Sequence, residues 1–183
     1  MNALINVSYF LVDTLFNLYL IVVVVRFLLG WTRADFYNPI SQFVVAATNP
    51  IILPLRRILP PIGKIDTASV VAMIGLKVIQ VSLLLLIKGA HPGIVAVLGY
   101  SVVQLLVLII YVLMFAIIIL AVMSWVNPQA YAGNNPLVSV LNSLTRPVLE
   151  PISRIVPQMG MFDLSPLVAL LLLQVILIVV QSF

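Results

Sequence analysis

The sequence predicts an all-α membrane protein with four transmembrane helices, arranged as two tandem span–amphipathic loop–span repeats, parallel and related by a pseudo-twofold axis. Three observations predict it. Of the 183 residues, 63% are hydrophobic and only 8% charged, with a mean hydropathy of +1.26. Soluble domains carry roughly 45–50% apolar and 25% charged residues, so the excess apolar surface belongs in lipid. Four stretches reach the length of about 20 helical residues that crosses a hydrocarbon core. The chain also repeats itself. Displaced by 97 positions, Thr48, Pro50, Pro54, Arg57, Ile58, Pro60, Gly63 and Asp66 meet Thr145, Pro147, Pro151, Arg154, Ile155, Pro157, Gly160 and Asp163.

The first copy occupies residues 1–90, with a span over about 9–31, a loop over 32–67 and a span over about 68–88. The second occupies 91–183, with a span over about 103–125, a loop over 126–164 and a span over about 165–183. Trp31 and Trp125 close the first span of each copy. An even number of spans per copy gives both copies one orientation, unlike the inverted repeats of many transporters. Residues 94–101 are also apolar, and joined to the third span they give either one long tilted helix or a spanning helix preceded by an interfacial segment. The N-terminus has no Lys/Arg region and no signal-cleavage pattern, so the first span reads as retained. Loop one carries Arg33, Arg56, Arg57 and Lys64 and loop two Arg146 and Arg154, against only Lys88 on the other side. The positive-inside rule then places both loops in the cytoplasm and both termini outside.

The loops are too apolar for solvent linkers. Ile40, Phe43, Val44 and Ala47 share one face opposite Ser41 and Gln42, and Leu137, Val140, Leu141 and Leu144 repeat the spacing opposite Ser139, Asn142 and Ser143. That is a short amphipathic helix written twice, bedded on the membrane interface or on the end of the bundle. Asn38-Pro39 and Asn135-Pro136 supply an N-cap and a first-turn proline. Pro50, Pro54, Pro147 and Pro151 then predict a break and a bent, two-part segment. Beyond it Arg57 and Arg154 sit at headgroup level, as solvated anchors or as ligands of an anionic lipid phosphate. Glu150 and Arg154 are spaced to pair. Gly63 and Gly160 supply turns, and Asp66 and Asp163 are expected to cap the following spans.

Ionisable residues at membrane depth are functional candidates. Arg26, near the end of span one, can snorkel. Lys77 stands at the middle of span two, with Gln80 a turn away, Gln174 as its repeat mate and Gln104 on span three. Lys77, Gln80, Gln104 and Gln174 are expected to cluster between the copies, as an interhelical clamp or as a substrate or proton path. Asp13 falls near the outer end of span one, leaving no carboxylate at mid-membrane. Ala68, Ala72 and Gly75 predict a small-residue packing face.

Several function classes are not expected. With no cysteine and the single histidine His91, there is no disulfide, thiolate nucleophile, Cys-ligated zinc or multi-histidine metal site. The net charge of +4 is scattered rather than striped, so no nucleic-acid partner is expected. Phosphate-cradling glycine loops, G-x-S-x-G, H-E-x-x-H and TVGYG are all missing from the sequence. The expectation is neither an enzyme nor a self-contained potassium pore, and no cofactor.

The Arg-x4-Trp of Arg26 and Trp31, the DFYNPISQFV run from Asp35 and the P-x3-P-x2-R-x2-P-x2-G-x2-D block of both loops resemble the YggT family, called YlmG in some lineages. GMFDLSP ending at Pro166 matches the family's pattern, while GKIDTAS departs from it at Ala68 and Ser69. The resemblance implies a small bacterial inner-membrane accessory protein. It also implies links to osmotic-stress tolerance and potassium uptake, to cell division, and to cytochrome b assembly in photosynthetic relatives. Its expected partners are membrane lipids and another membrane protein or a second copy of itself.

Overall fold

A computed structural model describes residues 3–63, 65–90, 92–126, 135–156 and 163–182. The described residues form six helices: α1 (Ala3–Trp31), α2 (Pro39–Ile58), α3 (Thr67–Ile87), α4 (Ile94–Val126), α5 (Pro136–Ser153) and α6 (Ser165–Gln181). The described residues hold no strand beyond an isolated bridge between Ile62 and Ile65. Three helices, α1, α3 and α4, are long and apolar enough to cross a membrane, and α6 is a shorter apolar helix. Runs such as Ile21–Val25 favour strands in water, but in lipid only a helix satisfies every backbone group within its own segment.

Residues 94–101 extend the third apolar stretch, so α4 is one helix of 33 residues. The α1 helix ends where Arg33 turns left-handed at φ 54° and Ala34 N–H reaches back to the Leu29 carbonyl at 3.0 Å, a Schellman closure. Both asparagine caps form as expected. Asn38 accepts from the Ile40 amide at 2.9 Å, and Asn135 accepts from the Leu137 amide at 3.0 Å.

The expected proline break does not occur. Both α2 and α5 run without interruption through Pro50 and Pro54 and through Pro147 and Pro151. An interior proline costs about 3 kcal/mol, so something must hold the helix. The four-residue spacing puts each pair on one outward face, where Pro50, Pro54, Pro147 and Pro151 are all exposed and the freed carbonyls can meet water or headgroups. The opposite face is pinned to the bundle. The buried stripe of α2 is Ser41, Val44, Thr48 and Ile52, while Phe43 is 68% exposed. The expected apolar face is therefore split, with Val44 turned inward and Phe43 outward. In α5, Val138, Val140, Leu141 and Leu144 are buried.

α1 and α3 pack antiparallel. Leu20, Val23, Val24 and Leu28 lie in one core with Ala68, Ala72 and Met73. Gly75 is exposed with open space around it, so the small-residue face consists of Ala68 and Ala72 without the glycine. α4 rests on α1 and α3, and α6 rests on the far side of α4. There Ala169, Leu173 and Leu177 join Val107, Ile110 and Ile117. α2 and α5 touch each other and pack beside the spans. Within each copy the packing repeats. Between copies it does not: α3 lies on α4, but among the described residues α6 makes no comparable contact with α1.

Candidate functional site

A polar site forms where α1, α3 and α4 meet. Lys77 is the central residue of α3 and only 6% exposed. Its ammonium donates to Gln80 Oε1 at 3.0 Å and to Asn17 Oδ1 at 3.2 Å. Each amide turns its nitrogen to Asp13, with Asn17 Nδ2 donating to Oδ1 at 3.1 Å and Gln80 Nε2 at 2.9 Å. Two amides thus bridge an ammonium to a carboxylate, carbonyl toward the cation and N–H toward the anion. The ring is neutral as a whole, which is how charges at depth become tolerable.

These groups line a cavity of about 430 Å³ with Gln104, Tyr9, Tyr100 and Tyr111. The Tyr9 ring stacks under the Lys88 ammonium at 4.3 Å, a contact that favours a cation over a π-face. Toward the other end of the bundle the core side chains of α1 and α3 are apolar. Leu20, Val23 and Val24 are 0% exposed and Met73 is 2% exposed. About 14 Å of α1, at 1.5 Å per residue, separates Asn17 from Arg26, with the Tyr19 hydroxyl between them bonded to the Ala47 carbonyl.

Two sequence expectations need correcting here. Gln174 is not in the cluster: it is exposed on α6, because α6 packs on the opposite side of α4. Asp13 does not stand apart from the cluster, since it bonds Gln80 one turn from Lys77. Asp13 and Asn17, four apart on α1, were the missing partners. The signal for them was present: a mid-span lysine needs an anion, and Asp13 is the only acidic residue before Asp35.

Arg26 does not snorkel. It is 5% exposed, and its Nη1 donates to the Val45 carbonyl at 2.8 Å, Thr48 Oγ1 at 2.7 Å and Asn49 Oδ1 at 2.8 Å. This clamp grips the turn of α2 just before Pro50. Tyr19 adds a bond to the Ala47 carbonyl at 3.2 Å.

The repeated loop residues form a frame rather than a pocket of their own. Gly63 holds φ +61°, a left-handed turn that glycine adopts without strain. Ile62 and Ile65 exchange backbone bonds across it at 3.1 Å. The Pro60 carbonyl accepts from the Thr67 hydroxyl at 2.8 Å. Asp66 stands at the start of α3 but makes no capping bond; its carboxylate takes Arg56 and the Ser69 hydroxyl at 2.7 Å instead. Burial alone would raise its pKa, but the bonds from Arg56 and Ser69 outweigh it and hold the carboxyl below the usual range. Asp163 does bond a helix amide, Ser165 N–H at 2.8 Å. Arg57 and Arg154 are exposed, and Glu150 bridges Arg154 at 2.9 Å and Arg146 at 3.2 Å. Those two hydrogen bonds, from Arg146 and then Arg154, keep the Glu150 carboxyl below its ordinary value. Lys64, His91, Pro157 and Gly160 lie outside the described residues.

A family model for CCB3/YggT matches residues 5–87 and again residues 99–183. The chain belongs to the CCB3/YggT family. Two separate matches along one chain agree with the duplication read from the loop prolines. Among similar proteins, the uncharacterized protein YggT of Escherichia coli is 40% identical over 171 residues, covering 93% of this chain and 87% of that one. An uncharacterized protein of Pseudomonas aeruginosa is 40% identical over 178 residues, covering 96% and 89%. One from Vibrio alginolyticus is 42% identical over 171 residues, covering 92% and 90%. No solved structure matches. The duplicated unit is thus the loop frame with its two flanking helices, and the Lys77 network and the Arg26 clamp are found in the first copy alone.

Proposed function

We propose that this chain is a non-catalytic accessory protein of the bacterial inner membrane that organises or assists assembly of a membrane complex. In this reading it crosses the bilayer four times as two tandem repeats, α6 being the fourth span, with both long loops cytoplasmic and both termini periplasmic. Gln174 carries the proposal. It sits in the middle of α6 on a face where Leu171, Leu172, Val175, Ile178 and Val179 are each at least half exposed. An amide facing acyl chains lacks the hydrogen bonds that water would give it, and a neighbouring helix can supply them, at about 0.6–2 kcal/mol per bond. The partner is another membrane protein or a second copy of this chain.

The test uses the missing cysteines. Single substitutions Val175→Cys and Gln174→Cys, crosslinked in native membranes, are expected to capture a partner, whereas Leu83→Cys on α3 does not. A solitary monomer in every arm, also under mild extraction, overturns the reading.

The alternative is a component of potassium uptake or osmotic-stress tolerance. The cavity at Lys77 favours it, and the buried apolar layer of Leu20, Val23, Val24 and Met73 opposes it. Ion flux through the reconstituted protein that Lys77→Leu abolishes would establish the alternative, and flux at the level of empty vesicles would remove it.

A further inference from the structure

We propose that the cavity between the end of α1, α2 and the α2–α3 turn binds a phosphodiester group, delivered by a membrane phospholipid. The cavity holds about 430 Å³ and is lined by Arg26, Arg56 and Asp66, with Phe36, Pro61 and Ile65 among the apolar walls. A guanidinium has five N–H donors. In Arg26 the three bonds to α2 all leave from Nη1, so the N–H groups of Nε and Nη2 have no acceptor among the described residues. Arg26 is only 5% exposed, and neither of these nitrogens is among the buried atoms without a partner, so both present their N–H groups to the cavity, where a ligand's oxygens can meet them.

Arg56 commits Nη2 to Asp66, which leaves its remaining donors open to the same space. Among the described lining residues, two guanidinium groups and one carboxylate leave one positive charge, which a phosphodiester with its single negative charge balances. Planar guanidinium groups match phosphate oxygens in paired hydrogen bonds. The apolar part of the wall fits the glycerol and the first carbons of the acyl chains, and Phe36 and Ile65 are 45% and 47% exposed. Basic pockets between helices at a membrane surface take headgroups on this principle.

The site belongs to the first copy alone. Displaced to the second copy, Arg26 becomes Leu120 and Arg56 becomes Ser153. It is also separate from Arg57, which is exposed and not among the cavity's lining residues, and from the α6 face on which the partner reading rests.

The experiment is equilibrium binding of short-chain phosphatidylglycerol to the full-length chain in a non-ionic detergent. Inorganic phosphate and short-chain diacylglycerol serve as the other probes. One lipid per chain is expected, with binding about tenfold weaker or worse in Arg56→Gln and unchanged in Arg57→Gln. Diacylglycerol is expected not to bind, and inorganic phosphate not to displace the lipid at matched concentration. Arg26→Lys, which keeps the charge but loses the planar fork, is expected to bind more weakly than the parent while keeping its helix content. Unchanged affinity in both Arg56→Gln and Arg26→Lys overturns the site. Displacement by inorganic phosphate alone overturns the lipid as its source. Equal binding of diacylglycerol overturns the role of the phosphate.

Discussion

The two copies share a scaffold and differ in what they bury. In the first, Asp13, Asn17, Lys77 and Gln80 tie α1 to α3 at mid-helix, and Arg26 ties α1 to α2. In the second, the same positions hold Val107, Tyr111, Gln174, Leu177 and Leu120. Helix α4 is held to α6 by Ala169, Leu173 and Leu177 against Val107, Ile110 and Ile117, contacts that fix no register by hydrogen bonding. One copy is locked by directional bonds and the other is greased. Duplication kept the loop frame in both copies, while the hydrogen-bonded ring and the clamp stand in the first. α3 of the locked copy packs on one side of α4, and α6 of the greased copy packs on the other.

That contrast can be broken most strongly at the charged ring. Lys77→Leu or Asp13→Leu alone leaves a charge buried without its counterpart, and about 3 kcal/mol or more should be lost in thermal or denaturant unfolding. The double variant should recover much of that loss, since a well-packed apolar pair replaces an ion pair at little net cost. If the double variant is as unstable as the sum of the singles, the ring is not a coupled unit. Gln174→Leu in the second copy should leave monomer stability nearly unchanged.

A smaller effect is expected at the clamp. Arg26→Leu installs the second copy's residue and removes three charge-assisted bonds, costing about 2–3 kcal/mol. The loss should appear as faster hydrogen exchange in the Val45–Asn49 turn of α2 with little change at Val140–Leu144 of α5. Equal acceleration in both helices would show that α2 does not depend on Arg26.

The least costly changes concern surface ion pairs. Because the Asp66 carboxyl is held below its ordinary range, its contribution to stability is present above the unfolded carboxylate value near 3.9. It fades as pH falls through the lower folded value. Acid titration of unfolding should show this component, and Arg56→Gln should remove it. Glu150→Gln, at an exposed pair, should not measurably alter stability.

Much of the scaffold was legible because its signals are local. Long apolar runs, the Asn-Pro caps at Asn38 and Asn135, the turn at Gly63 and the pairing of Glu150 with Arg154 each depend on a few neighbours. The proline effect was misread because what offsets it comes from elsewhere: the inner faces of α2 and α5 are buried against helices distant in sequence. Gln174 was misplaced by assuming that repeat mates share an environment, which fails when the copies do not meet symmetrically. Asp13 was discounted by counting from the end of its own helix, whereas its depth is set by the side chain of Gln80 on another.

Helix lengths carry one more consequence. At 1.5 Å per residue, the 33 residues of α4 extend about 50 Å and the 17 of α6 about 26 Å, side by side in one bundle. A hydrocarbon slab about 30 Å thick matches neither. On the proposed reading, with α6 as the fourth span, the lipid annulus thins beside α6 and α4 tilts or projects beyond the slab, at a cost of fractions of a kcal/mol per ångström of mismatch. The bilayer is therefore deformed unevenly around the molecule. Short-spanned neighbours relieve that deformation on the α6 side, so membrane elasticity itself draws company to the face that carries Gln174.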